Sequence, residues 1–199
     1  PPTRCTSRHG AGPSPGGGGP AVASAVVVDD GTLDAGELVA WHERMLRALD
    51  GEVDADVPCG ECTACCEAGQ FVHIGPDETD ALAAVPAELR FPAPGRPGHV
   101  VVPYDEHGRC PMLGERGCTI YERRPRTCRT YDCRVFAATG VEPESPAIAA
   151  RVQRWRFDLG APGSHRRLDE LHAAAERLAA GDARPTEVAV RAVQRRPTR

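Results

Sequence analysis

Apolar side chains recur at helical spacing in several stretches of the 199-residue chain. Leu38, Trp41, Met45 and Leu49 stand at i, i+3, i+7 and i+11, one face of a helix that stops before Gly51. Asp34 and Glu37 precede it in D-x-x-E order, a capping pair that puts the helix start near Asp34. Trp41 and Met45 then belong to the core. Pro76-Asp77-Glu78 has the form of a first helical turn, proline early and acids near the positive end, for a helix through Val85. Residues 147–157 and 164–180 are further helical stretches, the second placing Leu168, Leu171, Ala175 and Leu178 on one face before Gly181. Residues 185–196 form a last, marginal helix.

Strand-like runs are shorter. Residues 71–74 and 99–102 are candidates, and 105–125 hold two Gly-containing turns around short apolar runs, the pattern of a β-hairpin. Pro125 ends the helical turn of residues 121–124. Gly16 to Gly19, flanked by Pro13, Pro15 and Pro20, cannot bury enough surface to offset their ordering entropy. The expected organisation is a disordered tail over 1–31, one domain over 32–180, and a marginal helix or flexible tail over 181–199. No run approaches the roughly 18 apolar residues of a membrane-spanning helix, and no internal repeat is evident.

Composition makes the core the weak point. Hydrophobic residues are 41% of the chain, many of them Ala and Val, and aromatics only 5%, so another source of stability is expected. All 24 basic residues are Arg. Residues 1–108 carry a net charge of −11 and residues 109–199 a net +7, an asymmetry that fits either an anion-binding half or two halves packed together.

Nine cysteines supply the candidate chemistry. Cys5 stands alone in the tail, and eight form two groups: Cys59, Cys62, Cys65 and Cys66, then Cys110, Cys118, Cys128 and Cys133. A C-x2-C turn aims two sulfurs at one point, and metal-bound thiolates contribute folding free energy where a core is thin. Disulfides remain an alternative, although four sulfurs within eight residues are packed closer than a staple between distant segments needs. Eight thiolates would make two closed tetrahedral zinc sites. Alternatively, C59-x2-C62-x2-C65 has the spacing of three ligands to a cubane iron–sulfur cluster, with Cys110, Cys128 or Cys133 as the fourth. Ligand softness suits both.

The string C62-T-A-C65-C66, then C110-P-M-L, then C118-T-I-Y-E-R-R-P-R-T-C128-R resembles the CxxCxxCC family of zinc- or iron-chelating proteins, also called YkgJ-like cysteine-cluster proteins. The resemblance covers about residues 58–134 and departs at Thr63, where the family often has Gly. It implies a metal-binding cysteine cluster and no defined reaction. The expected fold is α+β: a small metal-stapled cysteine-cluster domain with a short β-hairpin and flanking helices.

Arg123, Arg124, Arg126, Arg129 and Arg134 surround the last cysteines with one acid among them, Asp132. They serve either to compensate thiolate charge or to bind phosphate; so few aromatics argue against a base-stacking surface and hence against nucleic acid. His73, His99 and His107 lie between the cysteine groups without H-x3-H spacing, and eight sulfurs suffice without them. No G-x-S-x-G, H-E-x-x-H, Walker A or Rossmann motif is present. Three functions are weighed in order: a metal-binding protein with a structural or electron-transfer centre, a metal-dependent enzyme of unknown reaction, and a zinc module holding nucleic acid through its Arg-rich segment. The chain begins at Pro1 rather than Met, and the expectation is an extreme N-terminus that is missing or processed. The apolar run 21–28 is followed by Asp29-Asp30 rather than a small-residue cleavage site, which favours a cytoplasmic protein over a secreted one.

Overall fold

The computed structural model describes residues 31–55 and 57–195; the expected tail, Cys5 included, falls on residues 1–30 and lies outside them apart from Gly31. Strand β1 (Leu33–Glu37) pairs in parallel with β7 (Trp155–Asp158), Leu33 opposite Trp155 and Glu37 opposite Asp158. The helix expected over 147–157 therefore divides into α5 (Pro146–Val152) and β7. W-R-F-D alternates inward and outward positions, and its two aromatics suit a half-buried pleat better than a helix face. The register of β1 shifts between Asp34 and Glu37, around Gly36 at φ +84°.

Helix α1 (Leu38–Leu49) buries Leu38, Trp41 and Met45 as expected. Its cap is different. Asp34 lies within β1 and accepts the Gly36 N–H, so Glu37, the last extended residue, caps the helix itself. Its carboxylate accepts the N–H groups of Val39 at 2.9 Å and Ala40 at 2.7 Å.

A three-stranded antiparallel sheet follows, with β4 (Val100–Val102) between β2 (Val72–Ile74) and β3 (Phe91–Pro92). Helix α2 (Thr79–Ala84) starts later than the sequence pattern implies, because Pro76 to Glu78 form a turn in which Glu78 accepts the Gly75 N–H. Ile74, Ala81, Val85, Val102, Met112 and Ile120 make a small core around this sheet. The expected hairpin is minimal: β5 (Leu113–Gly114) against β6 (Gly117–Cys118).

Helices α3 (Arg126–Thr130), α4 (Arg134–Thr139), α6 (Ser164–Ala179) and α7 (Pro185–Val193) complete the chain. A larger core joins Leu38, Trp41 and Met45 to Phe136, Ile148, Leu171, Ala189 and Val193. With seven helices and three small open sheets among the described residues, the fold is α+β. No helix among those residues is long and apolar enough to cross a membrane. Cys110 and Cys118 pack on the small core and Cys133 on the large one, so the cysteines occupy the seam between them.

Candidate metal centre

The first cysteine group is a loop tightened by local hydrogen bonds. Cys62 N–H donates to the Cys59 carbonyl at 3.0 Å, closing the C-x2-C turn, and Cys65 and Cys66 lie on one 3₁₀ turn, Ala64–Glu67. Cys110 N–H donates to the Cys66 carbonyl at 2.7 Å, which ties the second group to the first through the backbone. Cys118 ends β6, where Leu113 is its partner. Pro125, fixed at φ −55°, opens α3, and its carbonyl accepts the N–H groups of Cys128 and Arg129. Cys133 stands immediately before α4.

Seven of the eight cysteines line one cavity of about 880 Å³: Cys59, Cys62, Cys65, Cys66, Cys110, Cys118 and Cys128. Val102, Met112 and Ile120 form part of its apolar wall, and Tyr121 and Arg124 also face it. Cys133 lies outside that cavity and accepts a hydrogen bond from Trp155 Nε1 at 3.3 Å. A second cavity, about 680 Å³, shares Cys59 and Cys62 and is walled by Ala147, Ala150 and Arg151 of α5.

Burial, with crowding by neighbouring thiols, raises the pKa values of Cys59, Cys65, Cys110, Cys128 and Cys133. Burial, then the neighbours Cys65 and Cys62, pushes Cys59 up to about 11. Cys128 is pushed up to about 12 by burial and by Cys65, Cys110 and Cys118. Cys133 also rises to about 12, through burial and then Asp132, Cys59 and Cys62, with the Trp155 N–H opposing. Cys65 is pushed up strongly by its hydrogen bond with Cys66 and by burial. Cys59 and Cys62 bear on Cys133, and Cys110 and Cys118 on Cys128, while Cys65 bears on Cys59, Cys110 and Cys128.

Among the described residues no three Cys, His, Asp or Glu side chains already converge as a finished metal site. The donor set nevertheless fits a soft cation. All eight are free thiols, none paired in a disulfide. Cys59, Cys65, Cys110, Cys128 and Cys133 resist ionisation because burial and their neighbours penalise the charged form, and a bound cation removes that penalty. His73, His99 and His107 line neither cavity.

Of the five arginines near the last cysteines, only Arg124 lines the thiol cavity, its guanidinium 3.6 Å from the Tyr121 ring centroid. It favours the charged form of Cys59, Cys65 and Cys128. Arg126 pairs with Asp77 at 2.6 Å, Arg129 with Asp54 at 2.7 Å and Arg134 with Asp132 at 2.8 Å. Two residues that belong to no motif complete the surroundings, Arg151 and Trp155. The signal that could have found Trp155 is general: a buried indole N–H needs an acceptor.

No curated protein and no solved structure matches the chain. Residues 58–145 match the CxxCxxCC family, described as a "Putative zinc- or iron-chelating domain". All eight clustered cysteines fall inside that span, so this part of the chain is similar to the CxxCxxCC domain.

Proposed function

We propose that the cysteine cluster holds zinc or an iron–sulfur centre with a structural or electron-transfer role, and that Cys59, Cys62, Cys65, Cys66, Cys110, Cys118, Cys128 and Cys133 are its ligands. The observation that carries this reading is that sulfurs from four separate segments line one cavity while remaining free thiols. When bound, zinc would act as a redox-inert tetrahedral staple, and an iron–sulfur cluster as a one-electron carrier. The chain's own residues bring the donors together: the Cys110–Cys66 backbone bond joins the groups, and Arg124 offsets thiolate charge. Pairing of Arg126, Arg129 and Arg134 with aspartates supports this role over a nucleic-acid surface. Unpaired thiols suit a reducing compartment such as the cytoplasm.

A second reading, metal-dependent catalysis, is favoured by the cavity alone, whose 880 Å³ lies within the range of small-molecule pockets. Elemental analysis and a visible spectrum of anaerobically purified protein test the first reading. Stoichiometric zinc without colour, or iron with sulfide and broad visible absorption, is expected. Metal-free protein that melts identically with and without added metal overturns it.

A further inference from the structure

The segment that follows the matched family span reaches back to the cysteines through three contacts. Arg151 Nη2 donates to the carbonyl oxygens of Pro58 at 3.3 Å and Cys59 at 3.4 Å. The same guanidinium lies 4.8 Å from the centroid of the Trp155 ring. Trp155, 3% exposed and held in β7 opposite Leu33, donates its indole N–H to Cys133 Sγ. Arg151 and Trp155 both lie beyond residue 145, where the family match ends.

Each contact has a direction. An N–H aimed at sulfur is weak toward a thiol and stronger toward a sulfur carrying negative charge, as a metal-bound sulfur does. It also fixes the side-chain rotamer of Cys133, which otherwise has one free torsion. Arg151 holds the peptide carbonyls on either side of the Cys59 nitrogen, and so sets where the C-x2-C turn faces. Its guanidinium is kept in place by the indole face, a favourable cation–π arrangement.

We propose that Trp155 and Arg151 are positioning residues of the metal centre: Trp155 orients Cys133 and Arg151 orients the Cys59 turn. The proposal rests on the metal-binding reading above and adds to it that residues outside the family span shape the centre.

The test uses the full chain titrated anaerobically with cobalt(II). The variants are Trp155→Phe, Arg151→Gln, and a chain with benzothienylalanine at position 155, an isostere of tryptophan in which sulfur replaces the N–H. Affinity is read by competition with a chromophoric chelator, and ligand geometry by the sulfur-to-cobalt charge-transfer bands. Removal of an outer hydrogen bond to a ligand is expected to weaken cobalt binding about ten- to hundredfold and to shift those bands. A purely structural role would lower the melting temperature of the metal-free chain and leave the bands in place. Bands unchanged and affinity within about twofold for the isostere overturn the proposal, and the isostere decides the matter if Trp155→Phe does not fold. A wild-type chain that takes up neither cobalt nor zinc, and that holds no iron when purified anaerobically, overturns the metal-binding reading itself, and this proposal with it, before any variant is compared.

Discussion

Arg134 clamps both carboxylate oxygens of Asp132, its Nε 3.0 Å from each and its Nη2 2.8 Å from Oδ2. The Asp132 side chain is fully buried, and Trp41 Nε1 donates to the same Oδ2 at 2.8 Å. Arg134 also reaches the carbonyls of Ala35 and Ala55. One ion pair thus connects β1, α1 and α4 beside Cys133. Asp132→Asn leaves a buried guanidinium without its counter-charge and is expected to destabilise the metal-free chain by about 3–5 kcal/mol. Denaturant unfolding measures this, and a loss below about 1 kcal/mol would show that the pair contributes little.

His42 is fully buried, with Nε2 2.7 Å from the Val193 carbonyl and Nδ1 2.7 Å from Arg167 Nη1. Arg167 can only donate, so Nδ1 accepts and the imidazole is neutral with its proton on Nε2. Burial holds its pKa below the usual range, and Arg167 adds to this against the pull of the Val193 carbonyl. Above the unfolded value of about 6.5 both states are neutral, and His42 gives no pH dependence. Below it the unfolded chain takes up a proton that the folded chain refuses, so stability falls with pH. His42→Gln should flatten the fall in melting temperature between about pH 7 and about pH 5. An equally steep fall in the variant would assign the effect to other groups.

Glu37 works in the opposite chemical sense but with the same pH direction. Burial would raise its carboxyl, yet the amides of Val39 and Ala40 and the Ser164 hydroxyl outweigh this and hold it below the usual carboxylate range. Its contribution is complete above the unfolded value near 4.3 and is lost as pH falls toward and through the lower folded value. Glu37→Ala is expected to cost about 1 kcal/mol at neutral pH, as loss of a helix cap does, and less in acid. Equal losses at about pH 7 and about pH 3 would contradict that assignment.

Cys65 and Cys128 come from different segments and face the same cavity. Cys65→Ser and Cys128→Ser should each lower both bound metal and the melting temperature of the metal-loaded chain, while barely changing the metal-free chain. Elemental analysis and calorimetry check this. Unchanged metal content in both variants would remove these two sulfurs from the ligand set.

Helix α1 is legible in the sequence because Leu38, Trp41 and Met45 repeat with a local period. The parallel pairing of β1 with β7 is not, since Leu33 meets Trp155 across more than a hundred residues and each strand offers only a few positions. The approach of the two cysteine groups is legible in their spacing, whereas the separate setting of Cys133 depends on where β7 places an indole. Arg126 and Arg129 look like a basic patch in sequence. Folding sets them against Asp77 and Asp54, because the acidic first half packs on the basic second.

The hydrogen bond from Cys110 to the Cys66 carbonyl closes a connection of 43 residues. Bringing the ends of such a loop together costs on the order of 3 kcal/mol in chain entropy. Here the polypeptide offsets that cost by itself, through the Cys110–Cys66 and Gly69–Gly108 backbone bonds and the pairing of β2 with β4, none of which involves sulfur. An arriving ion therefore meets two cysteine groups already held near each other rather than two wandering strands, and has only to draw their sulfurs into place.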